Sequence, residues 1–341
     1  MKSTNWFQNV KGKFSSQNAV MFIINNKAFL LMIIMFFVAA IAAQAFLTSR
    51  NLVTLMRQVS VASIVGGGFT IIFTAAQFDM SVGDVLSLSA VLYALLSKTI
   101  PEPLAILLSI LIGAFCGLCN GTLIKIFKLP AFVLTLAIGL IYKGITYSIT
   151  NGATVYGLPD IVNTIGQGSI WFIPIPFIIM VFVLAFMFIL LNKTIYGRHV
   201  TATGGNAEAA KVSGIKIDFI RISVYVVCGA ITGIGAVVLT GRLGAATPNI
   251  GADFTLDAIA AVVIGGTSMH GGKAKVFGTV YGVVLVAIIG NMLSLNGVSP
   301  FMQWIVKGAI IAAAIILDNQ TEALMNKQRE RAALKIAGQS K

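Results

Sequence analysis

Charged residues are scarce in this sequence. Asp, Glu, Lys and Arg make up only 10% of the 341 residues, whereas hydrophobic residues make up 57%. A soluble globular domain carries roughly 25% charged residues, so this chain has too few of them to cover a surface that faces water. The composition therefore excludes an ordinary soluble protein and indicates a chain that faces lipid.

Histidine and cysteine are also rare, with 2 and 3 copies. Cys116 and Cys119 form a Cys-x-x-Cys pair, but small residues surround them and no histidine accompanies them. Small residues suit close helix packing in a bilayer, and two thiols alone make a weak metal site. We interpret these cysteines as packing residues, and we find no nucleophile–base or metal constellation that would indicate an enzyme.

A nucleotide-binding loop is missing as well. The glycine-rich segment 264–272 ends in Gly272-Lys273, but Ala274 follows where a phosphate-binding loop has Ser or Thr. We therefore expect no cofactor on this chain, and any ATP hydrolysis must come from a partner. Closely spaced glycines instead break helices and let backbones approach each other. The glycines expected to break a helix and to act in gating are Gly265, Gly266, Gly271 and Gly272.

Long apolar runs are abundant. Many are about 20 residues long, the length that crosses a hydrocarbon core of roughly 30 Å as an α-helix. The sequence predicts an all-α, polytopic membrane protein with about ten spans. They lie near 28–47, 52–76, 85–96, 104–124, 131–150, 171–191, 219–240, 257–267, 276–293 and 301–317. The third and eighth are too short to cross alone, so we expect broken or re-entrant helices there.

The basic residues lie mostly in alternate loops between these spans. With the N-terminus inside, 18 of the 24 Lys and Arg fall on the inner side. This bias predicts that both termini are cytoplasmic, and it accounts for the net charge of +13 without contact to nucleic acid. The predicted parts are a cytoplasmic segment 1–27, a transmembrane domain 28–318 and a basic cytoplasmic tail 319–341.

Four sequence features recur in the same order in the two halves of the chain. They are Asp79, Asn120-Gly121, Pro130 and Lys143-Gly144 in the first half, and Asp257, Asn296-Gly297, Pro300 and Lys307-Gly308 in the second. We predict two inverted repeats of five spans, about 28–150 and 171–318, because an odd number of spans inverts the second copy. The alternative is a chance match, since Asn-Gly and Pro are common turn residues. Inverted repeats are typical of transporters.

The segment Phe78–Asp84 places two carboxylates beside a membrane helix. Asp79 and Asp84 are expensive to bury at such a depth, and carboxylates there usually face a cavity or a partner. One interpretation is that the segment caps the following helix, where negative charge is favourable. The other is a direct role in a solute path.

The predicted cytoplasmic loop 192–218 contains the signals of a short helix. Asn206 suits the N-cap, Glu208 suits the first turn, and Gly214 suits the stop, with alanines between them. A short, exposed helix with a flat Ala face can enter a groove on another protein. The alternative is an idle surface helix.

These segments together resemble the permease family of the ribose-, galactoside- and xylose-type ABC importers over roughly residues 50–318. The matching motifs are Asp79–Gly83, Asn120-Gly121, Pro130–Leu136, Tyr196–His199, Gly204–Ile215 and Leu256–Ser268. One segment departs from the pattern, because Ala76-Gln77-Phe78 stands where the family often has Gly-Gly-Ile. Because Phe78 is bulkier than the residue that the family often has there, this motif does not identify the solute.

The resemblance implies a permease domain at 28–318 in a bacterial inner membrane, paired with a second permease copy or a paralogue. It also implies a cytoplasmic ABC ATPase below and a periplasmic solute-binding protein above. We expect the solute path to include Phe78, Asp79, Ser81, Gly83, Asn120 and Thr135. We expect coupling to the ATPase through Arg198, Asn206, Glu208, Ala209, Ala210 and Gly214.

The predicted function is ATP-driven import of a sugar or sugar-like solute, with a pentose such as ribose favoured, by alternating access. The alternative is a secondary transporter that couples a small polar solute to an ion. Such a protein needs an ionisable group in its path, for which Asp79, Asp84 and Lys143 are the candidates.

Overall fold

A computed structural model describes residues 26–313 and 315–316 of the chain. Nearly all of the predicted segment 1–27 and the whole predicted tail 319–341 lie outside the described residues. Within the described part, the chain is helical apart from one short hairpin, an isolated bridge between Val155 and Ala246, and the connecting turns.

The described residues form thirteen helices and two short strands. The first helices are α1 (Lys27–Ala42), α2 (Ser49–Thr74), α3 (Val82–Leu96), α4 (Glu102–Phe127), α5 (Ala131–Thr150) and α6 (Asp160–Gln167). The antiparallel hairpin of β1 (Ser169–Ile170) and β2 (Ile173–Pro174) follows. The remaining helices are α7 (Ile175–Lys193), α8 (Ile195–Gly205), α9 (Ala207–Val212), α10 (Ile217–Leu243), α11 (Phe254–Ile264), α12 (Val276–Leu295) and α13 (Pro300–Ala313).

Ten of these helices coincide with the ten predicted apolar runs. Six of them, α2, α4, α5, α7, α10 and α12, are long and apolar enough to cross a membrane, and α1, α3, α11 and α13 are shorter apolar helices. The two runs predicted to be short are short, with 15 residues in α3 and 11 in α11. The fold is therefore mostly helical, as the sequence predicts.

The segment before α7 differs from the prediction. The run expected from 171 begins its helix only at Ile175, because Pro174 caps the helix and Pro176 occupies its first turn. Residues 169–174 form the hairpin instead, and Trp171 at its tip is 91% exposed. Neither this hairpin nor the short helix α6 was predicted.

The packing of α4 against α10 depends on small residues. A Cβ atom at Gly113 would lie 2.1 Å from the carbonyl oxygen of Gly229, and one at Gly229 would lie 2.0 Å from that of Gly113. One turn away, the Ser109 hydroxyl donates to the Gly233 carbonyl at 3.1 Å. Such backbone contact is how membrane helices gain attraction without a hydrophobic driving force. The predicted packing role of the small residues around Cys116 is confirmed.

The outer faces of several helices are apolar. Ile41 of α1 is 86% exposed, Phe182 of α7 72%, and Phe301 of α13 70%. By contrast, most of α2 is buried, and α10 packs against α2, α3 and α4. The helices therefore surround a core built on α2 and α10, and this core holds the turn that contains Asp79.

Candidate solute path and coupling segment

The predicted path residues meet around a buried carboxylate. Asp79 lies in the turn between α2 and α3, where its side chain is almost fully buried. The Ser81 hydroxyl and the Ser81 backbone N–H both donate to Asp79 Oδ1, at 2.6 and 2.9 Å. Asn120 Nδ2 of α4 donates to Asp79 Oδ2 at 3.3 Å and to Ser81 Oγ at 2.7 Å. The carboxylate therefore stabilises the turn that starts α3.

The helix α5 joins the same network through two polar side chains. The Tyr142 hydroxyl donates to Asn120 Oδ1 at 3.0 Å, and the hydroxyl of Thr135 accepts the Met80 backbone N–H at 2.9 Å. From α10, the Tyr225 hydroxyl donates to the Phe78 carbonyl at 2.8 Å. Sequence reasoning missed both tyrosines, although a buried tyrosine hydroxyl in an apolar helix needs a partner.

The structure thus gathers the six predicted path residues in one region. Phe78 is partly exposed, whereas the other five, Asp79, Ser81, Gly83, Asn120 and Thr135, are buried. The polar side chains among these five bond to protein groups within the region. Contact of these side chains with solute stays a prediction.

The two short helices α3 and α11 meet at their first turns through a reciprocal contact. The Gly83 N–H donates to Thr255 Oγ1 at 2.8 Å, and the Gly251 N–H donates to Ser87 Oγ at 2.9 Å. In each of the two segments, a glycine is followed four residues later by a residue with a hydroxyl side chain. A Cβ atom at Gly251 would lie 2.1 Å from the Gly83 carbonyl oxygen, so the two backbones touch.

Two of the four glycines predicted to break a helix, Gly265 and Gly266, lie at the end of α11, and Gly271 and Gly272 lie in the loop that follows. Gly266 has a φ of +83°. The Gly266 N–H donates to the Val263 carbonyl at 2.9 Å, and the Thr267 N–H donates to the Val262 carbonyl at 3.2 Å. These two bonds define a Schellman motif, which glycine favours because it lacks a Cβ. The helix break is confirmed, whereas a gating role stays a prediction.

An alanine takes the corresponding position at the end of α2. Ala76 has a φ of +54°. Its N–H donates to the Phe73 carbonyl at 2.9 Å, and the Gln77 N–H donates to the Ile72 carbonyl at 3.0 Å, again a Schellman pair. The departure from the family's Gly-Gly-Ile therefore places a side chain on left-handed backbone, which strains it.

Ala76→Gly is therefore expected to raise the free energy of unfolding by about 0.5–1 kcal/mol, since the relieved strain exceeds the entropy that glycine adds to the unfolded chain. Thermal unfolding of the detergent-solubilised protein measures the shift. Ala75→Gly is the matched control, because Ala75 has a φ of −83° and no such strain to lose. Equal melting temperatures for the two variants would contradict the assignment of strain to Ala76.

The short helix predicted in the loop 192–218 exists as α9, and its coupling role stays a prediction. Asn206 Oδ1 accepts the Ala209 N–H at 3.0 Å, which caps the start of the helix. Gly214, with a φ of +83°, ends it, and the Ile215 N–H donates to the Ala210 carbonyl at 3.1 Å. The predicted start and stop of the helix are confirmed.

The exposed surface of this segment is smaller than the predicted alanine face. Arg198, Asn206, Glu208, Ala209 and Gly214 are exposed. Ala210 is 5% exposed, because its side chain faces the chain's own helices. A docking partner would therefore contact the five exposed residues, whereas Ala210 packs against the rest of the chain.

The end of α8, the glycine-rich loop and the end of α2 meet in one place, which we call the glycine junction (Gly204, Gly205, Gly271, Gly272 and Thr74). The Thr74 carbonyl accepts the Gly272 N–H at 3.0 Å. A Cβ atom at Gly204 would lie 1.9 Å from that carbonyl oxygen, and one at Gly271 would lie 2.5 Å from the Gly204 carbonyl oxygen. Motifs that are far apart in the sequence are thus in direct backbone contact.

An ion pair that sequence reasoning did not assign to a site joins α11 and α13. Lys307 Nζ lies 2.9 Å from Asp257 Oδ2, and each side chain is 27% exposed. Both residues were noted only as marks of the repeat. The sequence did carry a signal for this site. Ionisable residues in apolar helices usually face a partner or an aqueous cavity, so an acid and a base in two such helices could have been paired.

Comparison with known proteins identifies the family. The family described as "Branched-chain amino acid transport system / permease component" matches residues 51–315. The ribose import permease protein RbsC of Bacillus subtilis is 38% identical, over 86% of this chain and 92% of that protein. The D-allose transport system permease protein AlsC of Escherichia coli is 36% identical, over 85% and 90%.

A more distant relative has the same coverage. The xylose transport system permease protein XylH of Haemophilus influenzae is 30% identical, over 86% of this chain and 95% of that protein. No solved structure matches the chain. The apolar helices and these relatives together identify a multi-pass membrane protein. The chain therefore belongs to the permease family of the ribose-, allose- and xylose-type ABC importers, as its sequence motifs predict.

Proposed function

We propose that this chain is the membrane-spanning permease of an ATP-driven, binding-protein-dependent importer of a sugar, with a pentose such as ribose favoured. The observation that carries the proposal is similarity along nearly the whole chain to permeases named for ribose, allose and xylose. A transport subunit of this kind carries out no chemistry itself. Coupling to an ion is not favoured, since the relatives are import permeases of transport systems.

Three protein partners follow from this proposal. A cytoplasmic ABC ATPase binds ATP and Mg and receives α9, and a periplasmic solute-binding protein delivers the sugar. A second permease copy or a paralogue completes the path in the inner membrane. Both termini are cytoplasmic in this arrangement, which the excess of Lys and Arg in alternate loops supports.

The proposal includes ten spans in two inverted repeats. The reciprocal contact between α3 and α11 supports it. The Gly83 N–H bonds to Thr255, and in the same way the Gly251 N–H bonds to Ser87, as a two-fold relation between the repeats requires. In the register of this contact, which pairs Gly83 with Gly251 and Ser87 with Thr255, Asp84 corresponds to Ala252 and Asp257 corresponds to Ser89. Neither Asp79 nor Asp84 is therefore the counterpart of Asp257 in this register.

The mechanism is alternating access powered from outside the chain. ATP closes the two halves of the ATPase, which displaces α9. Since α8 leads directly into α9 and contacts the end of α2 at the glycine junction, this motion reaches the turn that contains Asp79. We propose that the network around Asp79 forms a rigid part of the path wall, and that Gly265 and Gly266 let α11 end where the path opens and closes.

Co-purification from the native membrane tests the proposed function. The solute-binding protein recovered with the permease is titrated with pentoses, hexoses and polyols, and the complete transporter is then reconstituted in vesicles. We expect uptake of the bound sugar to require ATP and to persist with an uncoupler. Accumulation by the permease alone, or collapse of uptake with the uncoupler, would overturn the proposal.

Glu208→Lys is expected to uncouple ATP hydrolysis from uptake, because it reverses the charge at the start of an exposed helix and disturbs its docking. In reconstituted transporters, we expect sugar uptake to fall about tenfold while the ATPase keeps hydrolysing ATP, a difference of about 1.4 kcal/mol. Glu208→Gln, which keeps the size of the side chain, is the milder control. Wild-type uptake by the lysine variant, with its partners at normal levels, would refute this role for α9.

A further inference from the structure

A polar cavity of about 280 Å³ lies between α2, α11, α12 and α13. Its polar lining includes Gln58, Asp257, Asn291, Gln303 and Lys307. These side chains come from helices that are otherwise apolar. The cavity is separate from the network around Asp79, none of whose residues lines it.

The ion pair in this cavity indicates contact with water. Asp257 and Lys307 are 2.9 Å apart, and each keeps 27% of its side chain exposed. Charges held between membrane helices are costly, and they usually face the interior of a bundle or a water-filled cavity. Because the two charges neutralise each other, the cavity attracts neither cations nor anions strongly.

The amides of the cavity are held in place by hydrogen bonds. Asn291 and Asn51 exchange two hydrogen bonds, at 2.9 and 2.8 Å. Gln303 Nε2 donates to Ser294 Oγ at 3.2 Å and to the Val298 carbonyl at 3.0 Å. Each oriented amide also offers further donors or acceptors to a ligand. The cavity thus combines acceptors on Asp257 and the amides with donors on Lys307 and the amides.

We propose that this cavity is a solute-contacting site for a neutral monosaccharide. A sugar hydroxyl both donates and accepts, which suits a wall of mixed donors and acceptors with no net charge. The volume of about 280 Å³ lies just below the range for drug-sized ligand sites, roughly 300–1,000 Å³, so it suits a ligand as small as a single sugar ring. The inference rests on the proposed function, and it assigns the contact to residues outside the predicted path set.

Protection from chemical labelling tests the proposal directly. Gln58→Cys is made in the complete reconstituted transporter and treated with a membrane-impermeant thiol reagent. The wild type serves as the blank, since two of its three cysteines are buried and Cys119 is partly so. We expect the imported sugar to slow labelling about tenfold at about ten times its dissociation constant, whereas a solute that is not imported does not protect.

Thr99→Cys is the matched control, because Thr99 is exposed in the loop after α3, on the same side of the predicted topology as Gln58, and does not line the cavity. Sugar is expected to leave its labelling unchanged. If Gln58→Cys is not labelled, or if the sugar does not slow its labelling, in vesicles that import sugar normally with ATP, the cavity is not a sugar site. The proposed function would remain intact. Wild-type vesicles without ATP-dependent uptake would overturn the proposed function instead.

Removal of the ion pair gives an independent readout. Asp257→Leu/Lys307→Met replaces both charges by apolar groups, which leaves no unpaired charge in the bundle. We expect the uptake rate to fall about tenfold, while ATP hydrolysis and the amount of folded protein persist. The matched control is Asp218→Leu/Lys125→Met, which removes an ion pair of 3.7 Å outside the cavity. Equal uptake by the two double variants would contradict the site.

Discussion

Gly204→Ala is expected to reduce ATP-driven sugar uptake strongly, and Gly205→Ala is expected to preserve it. At Gly204 the added Cβ would lie 1.9 Å from the Thr74 carbonyl oxygen and 2.9 Å from the Gly272 nitrogen. At Gly205 the nearest atom would be the Gly272 Cα at 3.7 Å, an ordinary contact. The two neighbouring positions therefore receive the same chemical change with opposite steric consequences.

The size of the effect follows from what the new methyl group must displace. Backbone atoms on both sides of Gly204 cannot rotate away, so α8 must separate from the end of α2, and overpacking of this kind costs about 1–3 kcal/mol. That separation also breaks the path by which motion of α9 reaches α2. We expect uptake to fall by at least about tenfold in Gly204→Ala, and to stay within about twofold of the wild type in Gly205→Ala.

Uptake and ATP hydrolysis are measured in vesicles that contain equal amounts of folded permease, judged by size-exclusion chromatography. Gly271→Ala serves as a second variant, since its Cβ would lie 2.5 Å from the Gly204 carbonyl oxygen on the opposite side of the junction. We expect it to lose uptake too. Similar uptake by the variants at Gly204 and Gly205 would show that the glycine junction does not transmit the motion.

Asp79→Ala is expected to destabilise the permease by about 2–4 kcal/mol. The substitution removes the acceptor of the Ser81 hydroxyl and N–H, and one acceptor of the Asn120 amide, in a buried site. A buried polar group left without a partner costs about 1–3 kcal/mol. Since these bonds position the start of α3, sugar uptake is expected to fall as well.

Thermal unfolding in detergent measures this loss, with Asp84→Ala as the matched control. Asp84 lies only five residues away and is partly exposed, so its removal leaves fewer buried groups unpaired. We expect that control to lose less than half as much stability. If the two variants unfolded at the same temperature, the network around Asp79 would not hold the turn. Asp79→Asn, which retains one acceptor oxygen, is expected to fall between them.

Local chemistry was sufficient to predict where the ten apolar helices lie. Ten apolar helices lie where the apolar runs predict them, because a chain in lipid must satisfy its backbone groups within each helix. The boundaries of α9 were predictable for a similar reason, since Asn206 and Gly214 act on neighbouring backbone groups. By contrast, the hairpin before α7 depends on two short strands that carry no periodic signal.

The candidate sites were predictable only in part. Asp79 and Asn120 stood out as polar residues in apolar surroundings, but Tyr142, which completes their network, did not. The pairing of Asp257 with Lys307 joins residues whose separation in the sequence carries no signal of contact. The backbone of Ala76 was not predictable either. Its φ is positive although alanine disfavours the left-handed conformation, so the residue type gave no sign of it.

The sequence by itself determined that this protein is a helical membrane permease, where its apolar helices lie along the chain, and to which family it belongs. These properties depend on composition and on contacts between near neighbours along the chain. Only the tertiary structure decided that the glycine-rich loop touches α8, that the predicted path residues form a buried network, and that a polar cavity surrounds Asp257 and Lys307. Those outcomes depend on how close two helices can approach each other, which is set by the side chains of both.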